Sequence, residues 1–305
     1  MKIGIIGDGG HSKKIQSILK KKKFKFFIYK PNKPNYFDDV EFNRLKKCNV
    51  IFIITPNSSH YTYIKKLYKN RYIFCEKPPV NNKIQFSKLK KIKSNKIFFN
   101  YNFRFLQISK ILNDRKKYNL GKLVYANLIA SHGLAKKEDY KLSWRSNIKK
   151  CPKGIFEIVS IHYLDLINYF FNIINIENTK LLNLSKVGNG YDTSLTVLKV
   201  ENNALVNIFT TYNSAYSKNF CFLFENGIIE QKNNNIKIYG PALNFDKKGF
   251  FKSPKIIKKI SINSNKDVAN SLSDSIDYFI KHARSKKIFN KNNWKTSIES
   301  NYLIL

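Results

Sequence analysis

The chain has few cysteines, and they are far apart. Only four of the 305 residues are cysteine, namely Cys48, Cys75, Cys151 and Cys221, and none forms a CxxC pair. This spacing excludes a disulfide framework and a zinc knuckle. We therefore predict no metal site, and a reducing cytoplasm is the expected compartment.

Long apolar runs are lacking as well. The most apolar later stretch is interrupted by Glu157, His162 and Asp165. The strand-like segment KIGIIG begins at residue 2, which leaves no room for a signal peptide. We expect a cytoplasmic protein with no membrane partner.

Acidic residues and arginine are scarce. The chain has 20 acidic and 56 basic residues, a net charge of +36, and only six of the basic residues are arginine. Such a field attracts anions, among them nucleotides, nucleic acid and anionic lipid headgroups. The lysines, however, are spread among many Asn, Ile, Phe and Tyr residues, which is typical of codon drift in an AT-rich genome. Because they form no block or tail, a dedicated nucleic-acid surface is the weaker interpretation.

The first third of the chain alternates short apolar segments with helical patterns. Strict alternation of strand and helix indicates crossover units and a parallel sheet covered on both faces. We predict an α/β Rossmann domain over residues 1–120. The predicted strands are 2–7, 24–30, 49–55, 71–76 and 96–102, and the predicted helices are 13–22, 59–70 and 82–95.

The pattern changes from about residue 122. A strand over 122–132 and a long helix over 154–171 are followed by strands with hairpin signals, ENN at 201–203 and NG at 226–227. A last helix is predicted over 267–284. Hairpin strands with a few helices indicate an α+β domain with a mainly antiparallel open sheet, over residues 121–305.

A glycine-rich turn lies between the first strand and the first helix. Gly7-Asp8-Gly9-Gly10-His11-Ser12 has the pattern G-x-G-x-x-small. Gly7 allows the tight turn, Gly9 lets the backbone approach a pyrophosphate, and Ser12 is small enough for packing of helix against sheet. We predict that Gly7, Gly9, Gly10, His11 and Ser12 bind a dinucleotide.

The second predicted strand decides between NAD and NADP. An NAD site usually has an acidic residue about 20 residues past the glycines. Here the strand ends in Tyr29-Lys30-Pro31, with Lys33 close behind. A cation at this place favours the 2′-phosphate of NADP, although NAD stays open because lysine is so common in the chain.

Five further segments carry a resemblance to a known family. TPNSSH (55–60), CEKPP (75–79), NYNFR (100–104), SWR (143–145) and GIFEIVSIHYLDL (154–166) follow one another along the chain. In order and spacing they resemble the Gfo/Idh/MocA oxidoreductases, named for glucose-fructose oxidoreductase, inositol dehydrogenase and rhizopine catabolism proteins. The resemblance covers nearly the whole chain, and Glu76-Lys77-Pro78 is its most specific element.

The resemblance implies an NAD(P)-dependent sugar dehydrogenase or reductase. Hydride would pass between nicotinamide and a secondary alcohol or ketone of a sugar, cyclitol or nucleotide-sugar. Lys77 would polarise the reacting oxygen, and His162 would carry its proton.

The same resemblance assigns further site residues. Lys77, Arg104 and His162 are expected on the substrate, although a structural role is as well founded for Arg104 and Arg145. His132 falls near the substrate side by position alone. The remaining cofactor residues would be Lys30, Thr55, Pro56, Asn57, His60, Glu76, Lys77, Asn102, Trp144 and Arg145.

One departure from the family pattern concerns the helix of His162. Family members often have Asp four residues before this His, where the chain has Ile158. Glu157 is adjacent but would point elsewhere unless the helix begins irregularly. Pro152-Lys153-Gly154 also replaces successive glycines, so a non-catalytic NAD(P)-binding sensor is the alternative.

The substrate and the assembly are expectations of a different kind. The positive charge favours an anionic nucleotide-sugar, as used in surface polysaccharide synthesis. The resemblance also implies that residues 121–305 form a substrate-binding and dimerisation domain. By family habit we expect a homo-oligomer, either a dimer or a tetramer.

Overall fold

The computed structural model describes residues 1–31, 37, 40–92, 94–241 and 244–305. It divides into two compact units. The first comprises residues 1–102, 272–303 and 305, and the second comprises residues 103–271 and 304. The predicted boundary lay at 120/121, whereas this division lies at 102/103 and returns the C-terminal helices to the first unit.

The first unit contains a five-stranded parallel sheet in the order β2-β1-β3-β4-β5. The central strands β1 (IGII) and β3 (VIFI) are buried along their whole length, as expected for a sheet covered on both faces. The strands are β1 (Ile3–Ile6), β2 (Phe26–Tyr29), β3 (Val50–Ile53), β4 (Tyr72–Glu76) and β5 (Ile97–Asn100).

The helices of the chain are α1 (Gly10–Lys21), α2 (Val40–Lys46), α3 (Asn57–Leu67), α4 (Lys83–Lys90), α5 (Gln107–Asn113), α6 (Ile161–Phe171), α7 (Ser264–Arg284) and α8 (Lys291–Tyr302). Of these, α2, α5 and α8 were not predicted. Each is short or polar, so its apolar stripe is brief and gives little periodic signal.

Most of α7 and all of α8 belong to the first unit, for a packing reason. The fully buried Phe279 of α7 meets Phe52 of β3 and Phe74 of β4, with ring centroids 5.3 and 5.4 Å apart. Its burial alone supplies about 2 kcal/mol. The end of the chain thus completes the aromatic core of the first sheet.

The second unit contains an eight-stranded sheet in the order β13-β12-β11-β10-β6-β9-β8-β7. β6 and β9 pair in parallel, and the other neighbours pair antiparallel. The strands are β6 (Leu123–Ser131), β7 (Ile173–Leu182), β8 (Thr193–Val200), β9 (Leu205–Thr211), β10 (Ser217–Phe224), β11 (Gly227–Lys232), β12 (Asn235–Tyr239) and β13 (Ile256–Ser261).

The predicted fold class is confirmed. The ENN turn joins β8 to β9 and the NG turn joins β10 to β11, and both pairs are antiparallel. The predicted long helix over 154–171 is instead a π-helical turn, Phe156–Ser160, followed by α6. Among the described residues, no helix is both long and apolar enough to cross a lipid bilayer.

Candidate active site

Gly7 is required by the fold itself. Its φ is +101°, and a Cβ at this position would lie 2.2 Å from the carbonyl oxygen of Ile54. Its N–H donates to the Tyr29 carbonyl at 3.0 Å, which ties the turn to the end of β2. Only glycine is compatible with this backbone conformation and this close approach.

Gly9 and Gly10 are different, because nothing in the chain fills the space beside them. A Cβ at either position would have no heavy atom within 4 Å. Gly9 precedes α1, and among the described residues no side chain caps this helix terminus. Open space beside free N–H groups is what a pyrophosphate needs, so these residues fit a dinucleotide.

Ser12 closes the turn from within. Its buried hydroxyl donates to the Gly7 carbonyl at 2.8 Å, and Gln16 Nε2 donates to Ser12 Oγ at 3.1 Å and to Asp8 Oδ1 at 2.9 Å. Ser12 therefore stabilises the turn from the side of the core.

Lys30 forms an ion pair with the glycine turn. Its Nζ lies 2.6 Å from Asp8 Oδ2. Hydrogen bonds from Lys30 and then from Gln16 lower the pKa of the Asp8 carboxyl. Lys33 lies outside the described residues. The cation predicted to select NADP is thus already matched with a carboxylate.

A hydrogen-bonded chain joins the glycine turn to the end of β4. His11 Nε2 lies 2.8 Å from Glu76 Oε1, and Asn100 Nδ2 donates to the same oxygen at 2.7 Å. Ser275 Oγ donates to Asn100 Oδ1 at 2.8 Å. Glu76 is 8% exposed, so its charge depends on these partners.

The pKa values of His11 and Glu76 follow from this pairing. The Glu76 charge raises the pKa of His11 against an opposing effect of burial. Burial pushes the pKa of Glu76 upward, but His11 and Asn100 outweigh it and hold the pKa of the carboxyl below its ordinary value. The pairing therefore favours the charged form of both side chains.

His60 holds two backbone segments together. Its ring nitrogens lie 2.8 Å from the Pro78 carbonyl and 2.9 Å from the Thr55 carbonyl, and the side chain is fully buried. Burial lowers its pKa. The ring thus has a structural role, since it faces backbone on both sides, and its contact with the cofactor stays a prediction.

The end of β3 presents the polar residues next to His60. Ser59 Oγ donates to Thr55 Oγ1 at 2.6 Å, and Pro56 precedes α3, which begins at Asn57. Thr55 and Asn57 are half-buried, whereas Pro56 is exposed. These three predicted cofactor residues lie just past the carboxyl end of a parallel strand, where ligands bind in such sheets.

Lys77 directly follows β4, and its side chain is half-buried. The segment behind it is fixed by Asn301 of α8, which accepts from Val80 N at 2.9 Å and donates to the Val80 carbonyl at 3.0 Å. The Lys77–Pro78 peptide is cis. Asn102 follows β5 closely and is buried. It is the last residue of the segment 1–102 of the first unit.

In the second unit, His162 lies in the first turn of α6 and stacks on Phe103. The ring centroids are 4.4 Å apart with an interplanar angle of 23°. The π-helical turn before α6 is tied to the sheet by three buried hydroxyls, since Ser160 Oγ lies 2.8 Å from Ser194 Oγ and 2.7 Å from Thr210 Oγ1. π-Helical turns are frequent at functional sites.

At the irregular start of this helix, Glu157 makes contacts within its own loop. Glu157 Oε1 accepts from Lys153 N at 3.1 Å and lies close enough to Cys151 to raise the pKa of that thiol, after burial. Gly154 has φ +54°, and a Cβ there would lie 2.0 Å from the Tyr191 carbonyl. Glu157 therefore has a structural role in this loop. Ile158 occupies the sequence position at which family members often have Asp.

Arg104 is engaged by its own unit. Its Nε and Nη2 donate to the two carboxylate oxygens of Asp165 at 2.8 and 2.5 Å, and the guanidinium lies 4.6 Å from the Tyr169 ring centroid. The side chain is 6% exposed. This geometry supports the structural alternative over a substrate contact.

Trp144 and Arg145 lie in a short loop of the second unit. The Arg145 guanidinium is 4.6 Å from the Trp144 ring centroid, and Trp144 is exposed. Burial and then the Arg145 charge lower the pKa of His132, whose ring is 4.9 Å from that of Tyr212. Trp144 and Arg145 thus lie on one short loop, and the Arg145 charge acts on His132.

Several residues of this arrangement were missed at the level of sequence. Asp8 lies in the glycine-rich turn and Asn100 begins the NYNFR segment, so their positions at strand ends could have identified them. Asp165 lies three residues after His162, a helical neighbour. Asn301 gave no signal, because its contact with Val80 spans most of the chain. The joint action of Lys77, in the first unit, and His162, in the second, stays a prediction.

Several solved structures of dehydrogenases are similar to the chain. A dehydrogenase (MviM) from Clostridium difficile is 20% identical, with a TM-score of 0.71, and covers 100% of this chain and 97% of its own. Myo-inositol dehydrogenase from Corynebacterium glutamicum is 16% identical, with a TM-score of 0.73 and coverage of 100% and 94%. Levoglucosan dehydrogenase in complex with NADH is 12% identical, with a TM-score of 0.77 and coverage of 100% and 97%. At these identities the likeness establishes the fold.

The family comparison concerns the first unit. No curated protein is similar enough to the chain to count as a relative. Residues 1–98 match the family described as GFO_IDH_MocA, oxidoreductase family, NAD-binding Rossmann fold. The predicted nicotinamide cofactor, NAD or NADP, is confirmed at the level of this family. Residues 1–98 are therefore similar to the Gfo/Idh/MocA oxidoreductase family, as the sequence resemblance implied.

Proposed function

We propose that the protein is an NAD(P)-dependent oxidoreductase acting on a secondary alcohol or ketone of a sugar, cyclitol or nucleotide-sugar. The observation that carries the proposal is the hydrogen-bonded connection between the glycine turn and the end of β4. His11 lies in the predicted pyrophosphate site, and its partner Glu76 directly precedes Lys77 in the chain. A dinucleotide and a reacting cation thus belong to one connected site.

The proposed chemistry divides between two side chains. Bound nicotinamide supplies the acceptor or donor of hydride. The Lys77 ammonium hydrogen-bonds the substrate oxygen and stabilises negative charge that develops there. The His162 imidazole accepts the hydroxyl proton while the C–H bond breaks and the carbonyl forms, and it returns the proton in the reverse direction.

The substrate class is supported by charge and by the nature of the structural neighbours. Those neighbours include enzymes named for myo-inositol and levoglucosan, which are a cyclitol and an anhydrosugar. A net charge of +36 favours an anionic substrate in this class. A nucleotide-sugar of surface polysaccharide synthesis meets both conditions, and a cytoplasmic homo-oligomer is the matching form.

Cofactor choice depends on the pair of Lys30 and Asp8. The cation favours NADP, but a 2′-phosphate at Lys30 would also meet the Asp8 carboxylate, whereas a ribose hydroxyl could donate to it. We therefore propose that both cofactors bind and that Asp8 reduces the preference for NADPH.

The experiment is a reductase assay with NADH or NADPH and a panel of keto-sugars and nucleotide-keto-sugars. Loss of nicotinamide absorbance with the wild type, abolished in Lys77→Met and retained in Lys83→Met, supports the proposal. Lys83 is an exposed lysine of the same unit, so it controls for charge. Cofactor binding without turnover of any panel member, with salt-sensitive retention on DNA, would instead support the sensor and contradict the redox assignment.

A further inference from the structure

A buried lysine of the second unit has no role in the chemistry above. In β10 the side chains of Lys218, Phe220, Phe222 and Phe224 alternate inward, and Lys218 is 4% exposed. A lysine thus occupies the first position of a row that is otherwise phenylalanine. Burial lowers the pKa of Lys218 to about 8, against an opposing effect of Asp267.

The surroundings of the amine stabilise a cation only partly. No described residue accepts a hydrogen bond from Lys218 Nζ. Nζ lies 5.5 Å from the ring centroids of both Phe103 and Phe220, within the range of cation–π attraction. Asp267 Oδ1 accepts from Gln107 N at 3.0 Å, while no described residue donates to its buried Oδ2. A hydrophobic side chain at this position would avoid the free-energy cost of burying an amine, so the presence of a lysine needs an explanation.

The ring of Phe103 connects this amine to His162. Phe103 stacks on the imidazole at 4.4 Å and lies 5.5 Å from Lys218 Nζ. The imidazole and the ammonium are therefore at most about 10 Å apart, through apolar material that screens charge weakly. Tyr163 of α6, whose ring is 5.2 Å from Phe103, and Asp267 of α7 are further titratable groups of this cluster. The ion pair of Arg104, next to Phe103 in the chain, with Asp165 of α6 also borders it.

We propose that Lys218 is a positioning residue for His162, a buried cation that shares the Phe103 ring with the imidazole and keeps it neutral and ready to accept a proton. This inference rests on the proposed function, in which neutral His162 takes the hydroxyl proton. A second positive charge on the imidazole is disfavoured while Lys218 is charged. The neutral fraction of His162 near pH 7 rises, at the cost of a weaker base.

The test is an NMR titration of the imidazole C–H signals, which needs no substrate. The chain has five histidines, and the signal that disappears in His162→Gln identifies the relevant one. In Lys218→Met the titration midpoint of His162 should move upward by on the order of one pH unit. Lys232→Met, which removes an exposed lysine of the neighbouring strand β11, should leave the midpoint in place.

A second neutral variant covers the case in which Lys218→Met does not fold. Lys218→Gln removes the same charge but keeps a polar side chain, so the His162 midpoint should again move upward. An unchanged midpoint in a folded Lys218→Met, or in Lys218→Gln if only that variant folds, overturns the inference. A shifted midpoint in a protein that turns over no substrate upholds the Lys218–His162 coupling and removes only the redox assignment.

Discussion

In the first unit, polar bonds join the residues predicted to bind the cofactor, whereas in the second unit His162 stacks on an aromatic ring. His11 at the start of α1, Glu76 at the end of β4 and Asn100 at the end of β5 form a continuous hydrogen-bonded chain. His162 lies against Phe103, next to a π-helical turn and near a buried lysine. A polar network fixes a geometry, and a low-dielectric cluster adjusts protonation. The two units are thus suited to different tasks, holding an anion and moving a proton.

Replacing His162 tests the proton-moving side and has the largest expected effect. His162→Gln should reduce kcat by about 100- to 10,000-fold, the usual contribution of a general base. NADH affinity should stay within about twofold, as measured by fluorescence titration, since the cofactor site is assigned to the other unit. His282→Gln, which alters a histidine of α7 outside the proposed site, is the control. Equal activity losses in the two variants would contradict the assignment of His162.

In the first unit, substitutions of Gly7 and Gly9 test fold stability and cofactor binding separately. Gly7→Ala should lower the free energy of unfolding by about 3 kcal/mol, because it combines a positive φ with a clash against the Ile54 carbonyl. Gly9→Ala should leave the thermal midpoint nearly unchanged, since its Cβ meets no atom of the chain. It should weaken NADH binding by about 10-fold or more, because the methyl group occupies the space assigned to the pyrophosphate. Unweakened NADH binding in Gly9→Ala would place the dinucleotide elsewhere.

Asp8 tests cofactor choice on the same side. Asp8→Asn removes the carboxylate 2.6 Å from Lys30 and frees the ammonium for a 2′-phosphate. The ratio of NADPH to NADH affinity should rise by about 10-fold, as expected for one charge contact. Asp114→Asn, an exposed carboxylate paired with Lys117, is the control. A ratio that does not change would remove Lys30 from the 2′ site.

The pair of His11 and Glu76 has the smallest expected effect, which depends on pH. The pKa of Glu76 is lowered from its ordinary 4.5, so the stabilisation is present above pH 4.5 and is lost as pH falls through the folded value. The pKa of His11 is raised from 6.5, so the stabilisation is complete below pH 6.5 and is lost as pH rises through the folded value. The Tm difference between wild type and Glu76→Gln should therefore be largest between pH 4.5 and 6.5.

Calorimetry over pH 4 to 9 checks this last prediction, with roughly unit steps. Glu177→Gln, which alters an exposed strand residue, is the control. A Tm difference that is constant over the whole range would show that the pair contributes no linked protonation.

How far the sequence could predict the fold depended on the element. The alternation of apolar strands with amphipathic helices was sufficient for the parallel sheet, and the NG dipeptide for the β10–β11 hairpin. The short helices α2 and α5 escaped because a helix of two turns shows too little periodicity. The return of α7 to the first sheet was unpredictable, since Phe279 carries no mark of which aromatic rings it will meet.

The site residues also differ in how far the sequence could predict their roles. The positions of Gly7, Glu76 and Lys77 at strand ends followed from local pattern and spacing. His60 carried a plausible motif, yet its ring proved to face two carbonyls in the interior. Arg104 was open to two roles until the bidentate contact with Asp165 favoured one. Spacing places a side chain near a site, but its partner depends on which residues are brought opposite it.

Local order along the chain was enough for the strand–turn–helix that begins at Ile3 and for the identity of the residues that follow each parallel strand. Backbone sterics and the period of apolar residues act over a few positions, so they can be seen in a sequence. The charge relations of His11 with Glu76, Lys30 with Asp8 and Lys218 with Phe103 join residues far apart in the chain. They exist only after folding removes water from between those groups, and tertiary structure alone decided them.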